Sequence, residues 1–147
     1  INMTIKTALK ILLSVTTMVC SQLSIAEQMQ RFGQYELHYI VIPTTMLKPE
    51  IAAEYDISRG KDRALVNVSV LNREKKAINA TITGDSQNLL GQLQDLDFKQ
   101  VTEGDAIYYL AEIRFADQEV HRIQIEATAP DGKSTLLKFN QKLYWAE

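Results

Sequence analysis

Gly104–Phe115 reads Gly-Asp-Ala-Ile-Tyr-Tyr-Leu-Ala-Glu-Ile-Arg-Phe, and its apolar residues recur at every second position. Successive side chains of a β-strand point to opposite faces, so such a segment can bury one face and expose the other. The predicted inward residues are Ile107, Tyr109, Ala111, Ile113 and Phe115. Ala116–Gln118 interrupts this pattern and Glu119–Ala127 repeats it. The two segments together predict a β-hairpin.

Five further segments show the same alternation, so the sequence predicts seven strands. The strands are Gln34–Ile42, Arg63–Asn72, Ala77–Thr83, Gln94–Val101, Gly104–Phe115, Glu119–Ala127 and Ser134–Trp145. Pro49–Tyr55 predicts one short helix with proline in its first turn. We expect Leu89 and Leu90, in a loop, to plug one end of the core. Strands joined by short turns predict an all-β antiparallel sandwich, with a closed barrel as the alternative.

The first 26 residues have the pattern of a secretory signal peptide. Lys6 and Lys10 precede the apolar run Ile11–Cys20, and small residues at Ser24 and Ala26 predict cleavage before Glu27. The alternatives are an amphipathic helix of the mature domain and lipidation at Cys20. The first interpretation predicts export to the periplasm by a Sec-type signal and one folded domain over residues 27–147.

Charge and cysteine content restrict the function classes. Cleavage would remove Lys6 and Lys10, which takes the formal net charge from −2 to −4. An acidic chain is a poor candidate for binding nucleic acid or an anionic membrane without specificity. Residues 27–147 contain no cysteine, which excludes disulfides and thiolate zinc ligands there. No later segment is long and apolar enough to span a bilayer.

Five ordered patterns carry a family resemblance: Gly33–Tyr39, Pro49–Ile57, Leu65–Val70, Asn88–Leu93 and Glu103–Glu112. With these, the chain resembles the DUF4426 family of small secreted gammaproteobacterial proteins of unknown function. The resemblance implies an immunoglobulin-like β-sandwich in the periplasm, and with the strands counted above we predict a seven-stranded one. It implies no catalytic or binding residues, because the family has none assigned.

Catalytic motifs are absent from the sequence. His38 and His121 are the only histidines, and their separation matches no metal-binding spacing. No serine lies in a Gly-x-Ser-x-Gly turn, and the glycines are too isolated for a phosphate loop. Asp95 and Asp97 with Asp105 or Glu103 form a weak calcium candidate, for which an exposed acidic face is the simpler interpretation. We therefore predict a non-enzyme without metal or cofactor.

Two groups of residues are candidates for a binding surface. Arg59, Lys61 and Arg63 recur every second residue and could recognise a carboxylate or phosphate beside Tyr55, or simply form a charged sheet edge. Tyr108 and Leu110 lie on the outward face of their strand. They either form an interaction face or are covered by the Pro49–Tyr55 helix or the Asn88–Leu93 loop.

Three functions follow from these patterns. The leading hypothesis is a non-enzymatic periplasmic domain that binds a protein or envelope component. The second is a carrier of a small anionic ligand, and the third is an unrecognised hydrolase that pairs His38 or His121 with an aspartate. The oligomeric state stays open.

Overall fold

Nine β-strands and one α-helix form within residues 28–146, the part of the chain that our computed structural model describes. The strands are β1 (Gln28–Phe32), β2 (Tyr35–Pro43), β3 (Arg63–Leu71), β4 (Thr81–Asn88), β5 (Leu93–Asp95), β6 (Lys99–Glu103), β7 (Ala106–Arg114), β8 (Glu119–Thr128) and β9 (Ser134–Leu143). A 3₁₀ turn covers Thr44–Met46, and helix α1 covers Pro49–Glu54. The predicted signal peptide lies outside the described residues.

The strands form two sheets with antiparallel pairing throughout. The first sheet has the order β1-β2-β3-β7-β6 and the second has the order β5-β4-β8-β9. The all-β antiparallel prediction is confirmed, whereas the predicted count of seven strands is wrong. The immunoglobulin-like assignment stays a prediction. No helix within residues 28–146 has the length and apolar character that crossing a bilayer requires.

The predicted hairpin between Gly104–Phe115 and Glu119–Ala127 is wrong. β7 pairs with β3 and β6 in the first sheet, while β8 pairs with β4 and β9 in the second. Ala116–Gln118 therefore carries the chain from one sheet to the other. Two-residue periodicity identifies a strand with a buried face, but it does not identify the neighbouring strand. Here the two inner faces meet across the core instead of lying side by side in one sheet.

The predicted strand Ala77–Thr83 is displaced along the chain, since β4 begins at Thr81 and continues to Asn88. Ala77 forms only an isolated bridge with Leu71. Gly84 lies inside β4. A Cβ atom there would lie 2.5 Å from the carbonyl oxygen of Gln124 on β8. Glycine is required at this position because the backbones approach closely.

The predicted strand Gln94–Val101 is divided between the sheets. Its first part is β5 and its second part is β6, and Leu96 is buried in the core at the crossing. The Gln94 side chain bonds to the backbone of β7 at Arg114, beyond the residues that pair with β6. Its Oε1 accepts from the Arg114 N–H at 2.9 Å, and its Nε2 donates to the Arg114 carbonyl at 2.6 Å. The sequence analysis did not predict β1, which pairs with β2 through a turn at Gly33.

The core lies between the two sheets. Its buried residues include Leu37, Val66, Val68, Val70 and Ile113 from the first sheet and Ile123, Ile125, Ala127 and Leu137 from the second. They alternate with outward side chains along each strand, as two packed layers require. Connections between strands are consequently confined to the two ends of the sandwich.

We expect Gly84→Ala to lower the free energy of unfolding by about 1–3 kcal/mol, because the new methyl group must displace the backbone of β8. Gly60→Ala is the matched control, since its methyl group would meet only the flexible side chains of Asp62 and Arg63. That variant should stay within about 0.5 kcal/mol of the wild type. Urea unfolding measures both. Equal stabilities would contradict the close approach at Gly84.

Candidate functional site

His121 lies in the interior of the sandwich. Its side chain is 1% exposed and lies between Ser86 on β4 and Glu119 on β8. Nδ1 of His121 is 2.6 Å from the Ser86 hydroxyl, and Nε2 is 2.5 Å from Oε1 of Glu119. The result is a serine–histidine–glutamate chain of hydrogen bonds.

This chain has the residue types of a hydrolase triad but not its access to solvent. Ser86 has no exposed surface. The nearby Asn88 donates through Nδ2 to Gln92 at 2.7 Å and to Glu119 at 3.4 Å, which extends the network. A hydroxyl sealed inside the sandwich cannot reach a substrate. The arrangement satisfies buried polar groups and connects β4 to β8.

Native protein should resist a fluorophosphonate that labels reactive serines, because Ser86 is sealed from solvent. Ser86→Ala should lower the free energy of unfolding by about 1–3 kcal/mol, since it leaves Nδ1 of His121 without its partner. Mass spectrometry measures the labelling, and Ser134→Ala on the exposed start of β9 is the control. Labelling of Ser86 in folded protein would support the hydrolase alternative.

The second histidine belongs to a charged cluster on the outer face of the first sheet. Nε2 of His38 is 3.0 Å from Oε2 of the nearly buried Glu36. The Lys75 ammonium forms an ion pair with the same carboxylate, and Arg31 approaches it at 3.8 Å. The hydrogen bond from Lys75, followed by that from His38, lowers the pKa of Glu36 below its ordinary value.

The lowered pKa of Glu36 predicts an acid-sensitive contribution to stability. The ionised carboxylate is favoured in the folded state, so the contribution is present above the ordinary pKa of 4.5 and is lost as the pH falls through the lower folded-state value. Glu36→Gln should remove this part of the pH dependence. Glu74→Gln is the control, because its side chain forms no ion pair within residues 28–146. Unfolding free energies across the acid range would show identical slopes if the cluster is unimportant.

The three predicted cations do not form a single site. The Arg59 guanidinium donates to the carbonyl of Thr45 at 3.1 Å. The Lys61 ammonium lies 4.4 Å from the centre of the Trp145 ring. Arg63 approaches Glu112 at 3.8 Å. The chain turns at Lys61 and Asp62 instead of extending, which separates the three side chains.

Tyr55 lies at the end of helix α1, in a segment that is bonded to β6 and β7. Its hydroxyl donates to Glu103 on β6, and Asp56 forms an ion pair with Lys99 at 3.5 Å. The Ser58 N–H donates to Glu112 on β7 at 3.1 Å. Leu110 is buried outside the main core, and Tyr108 is half-buried. These contacts hold the segment after the helix against β6 and β7, whereas Tyr108 lines a hollow with Lys75 and Ala77.

The exposed apolar residues concentrate at one end of the sandwich. Of nine large apolar side chains exposed within residues 28–146, six lie there and define the loop end: Met46, Leu89, Leu90, Leu93, Tyr144 and Trp145. The prediction that Leu89 and Leu90 plug the core is wrong, because they are 63% and 84% exposed. Both follow β4 in a turn that projects into solvent.

Hydrogen bonds hold the loop end in shape. Oδ1 of Asn88 accepts from the N–H groups of Leu90 at 3.1 Å and Gln92 at 2.9 Å. The Trp145 indole donates to the carbonyl of Phe115 at 3.3 Å, and its backbone N–H donates to Asp117 at 3.0 Å. The apolar side chains are thus presented by an ordered frame.

Metal ligands do not converge in the part of the chain that the structure describes. No three His, Cys, Asp or Glu residues among 28–146 come together in a group that could hold a metal ion. This includes Asp95 and Asp97, which formed the calcium candidate of the sequence analysis. The two histidine–carboxylate pairs belong to different sheets.

Comparison with known proteins places the fold in a family. The chain resembles the crystal structure of a DUF4426 family protein from Pseudomonas aeruginosa with 30% identity and a TM-score of 0.74, covering 82% of this chain and 97% of that one. It also resembles FetP of uropathogenic Escherichia coli, expressed in the periplasm, with 14% identity and a TM-score of 0.58 over 83% and 96% of the two chains. A copper-bound FetP variant gives 14% identity and a TM-score of 0.57 over 82% and 97%.

No curated protein matches the sequence. The likeness to FetP, at 14% identity, concerns the fold alone. The model of the domain of unknown function DUF4426 matches residues 29–146, which is nearly all of the described chain. This chain belongs to the DUF4426 family.

Proposed function

We propose that this protein is a non-enzymatic periplasmic β-sandwich that binds another protein through its loop end. The observation that carries the proposal is the exposure of Leu89 and Leu90 in an ordered turn beside a polar network. Exposed leucine and aromatic side chains on a rigid frame are typical of protein-binding surfaces. The signal-peptide pattern of residues 1–26 supports the periplasmic location.

The rigidity of the loop end supports binding because a preformed surface loses little conformational entropy on association. Asn88 organises the leucine-bearing turn with its side-chain oxygen and, through Nδ2, contacts Glu119 at the start of β8. Lys61 stacks on Trp145 at the same end. Neither group requires a partner in order to be ordered.

Charge favours a protein over an anionic lipid surface. Lys61 and Lys142 lie over the aromatic rings of the loop end, whereas the exposed carboxylates of Asp95 and Asp97 follow Leu93. Acidic groups beside the leucine-bearing turn disfavour anionic headgroups there. They complement a protein groove that is apolar at its centre and edged by Lys or Arg, and this is the partner chemistry we propose.

The described residues favour neither a hydrolase nor a copper-binding protein. His121 and Ser86 are sealed from solvent, so their hydrogen-bonded chain supports no hydrolase. FetP has a copper-bound variant, but no group of potential metal ligands converges within residues 28–146 of this chain. We therefore do not extend the copper of FetP to this protein.

A photocrosslinking amino acid at position 90 tests the proposal in an intact cell envelope. We expect one defined protein to be crosslinked from position 90 and not from position 136, where Leu136 is exposed on β9. The crosslinked protein is then purified and titrated with the wild type and with Leu90→Asp. The substitution should weaken binding by at least about tenfold, as for a residue central to an interface.

Leu136→Asp is the matched control, because it also introduces a charge at an exposed leucine but lies outside the loop end. It should bind the partner like the wild type. Equal losses in both variants would contradict the assignment of the surface. Binding only to lipid vesicles, or dimerisation through position 90, would contradict the proposed class of partner.

A further inference from the structure

A cationic cleft lies at the end of the sandwich opposite the loop end. It has a volume of about 360 Å³ and opens between the β1–β2 turn and the Asn72–Lys76 turn. The residues that line it are Arg31, Gly33, Gln34, Tyr35, Glu36, Asn72, Arg73 and Lys75. Three of these side chains are cationic and one is anionic, in a chain whose formal net charge is −2.

The cations of this cleft are available to a ligand. The side chains of Arg31 and Lys75 are 73% and 62% exposed, although both approach Glu36. Arg73 is exposed and forms no ion pair or hydrogen bond through its guanidinium within residues 28–146. The Glu36 carboxylate offsets only one of the three positive charges, so the wall of the cleft keeps a net positive charge.

The backbone at Lys75 has an uncommon conformation. Its φ is +62°, in the left-handed region where glycine is favoured. The Lys75 N–H donates to the Asn72 carbonyl at 3.0 Å, and the Asn72 side chain accepts from the N–H groups of Glu74 and Lys76, each at 3.0 Å. The turn thus holds a lysine where glycine would be less strained. Strain of this kind is often found at functional positions, and here it directs an ammonium group to the cleft.

The size of the cleft indicates more than a simple ion. A second hollow of about 290 Å³ shares Gln34, Tyr35, Asn72 and Arg73 with it and extends to Glu74, Ile78 and Pro130. A ligand with an anionic group and a short uncharged body would fit this shape. The Glu36 carboxylate offers an acceptor for a hydroxyl of such a ligand.

We propose that this cleft binds a small soluble molecule through a phosphate or carboxylate group. The Arg31 and Arg73 guanidinium groups can each donate two hydrogen bonds to oxyanion oxygens, and Lys75 supplies a point charge. From the sequence, Arg59, Lys61 and Arg63 are the candidates for binding an anionic ligand. In the structure those three side chains are separated, whereas the cations of the cleft lie close together.

Titration calorimetry of the folded chain with glycerol 3-phosphate, citrate and inorganic phosphate at low salt tests the proposal. We expect saturable one-to-one binding of at least one of these probes. Lys75→Gly suits the positive φ and removes the ammonium, and Arg73→Gln removes the guanidinium without altering the turn. Each should weaken binding by about tenfold or more, as the loss of a charge-assisted hydrogen bond does.

Lys76→Gln is the matched control, because it removes one positive charge from the same turn but does not line the cleft. Its affinity should stay within about twofold of the wild type, since exposed charges at a distance are screened. Equal weakening by Lys76→Gln and Arg73→Gln would show that affinity depends only on the net charge of the protein, and would overturn the assignment of the binding site to the cleft. Binding to phosphatidylglycerol vesicles without binding of any soluble probe would overturn the proposed small molecule.

Discussion

Apolar contact between the inner faces of the two sheets is the interaction on which the rest of the structure depends. Leu37, Val66 and Ile113 of the first sheet have essentially no exposed surface, and the same holds for Ile123 and Ile125 of the second. Burial of each such side chain contributes about 1.5–3 kcal/mol. Because this contact occupies one face of every long strand, loops are restricted to the two ends, and the inward polar side chains of Ser86 and His121 must be satisfied by hydrogen bonds to each other and to Glu119.

Buried polar groups in this sandwich follow a common local pattern. Glu36 and His38 are two residues apart on β2, and Glu119 and His121 are two residues apart on β8. This spacing places both side chains on the same face of a strand, where the histidine can contact the carboxylate. The first pair faces outward and meets Lys75 and Arg31. The second pair faces inward, where the Ser86 hydroxyl is hydrogen-bonded to His121. The same spacing of glutamate and histidine therefore occurs once at the surface and once in the interior.

The two ends of the sandwich differ in chemistry because different connections meet there. Tight turns at Gly33 and at Asn72–Lys76 bring arginine and lysine side chains beside Glu36. The opposite end carries the leucine turn after β4 and the aromatic residues after β9. The first end offers a concave cationic surface, and the second offers a projecting apolar one.

Alternating apolar residues determined the long strands that have a buried face, and the quoted motifs determined the family. Segments such as Arg63–Leu71 and Ser134–Leu143 could be assigned because a half-buried strand requires this alternation. Only the tertiary structure decided which strands pair, because periodicity does not carry information about a neighbour. For the same reason it decided that β7 and β8 belong to different sheets, that Ser86 meets His121, and that Arg31 and Lys75 share one cleft. Contacts between residues far apart in sequence arise from the packing of the two layers, which local pattern does not specify.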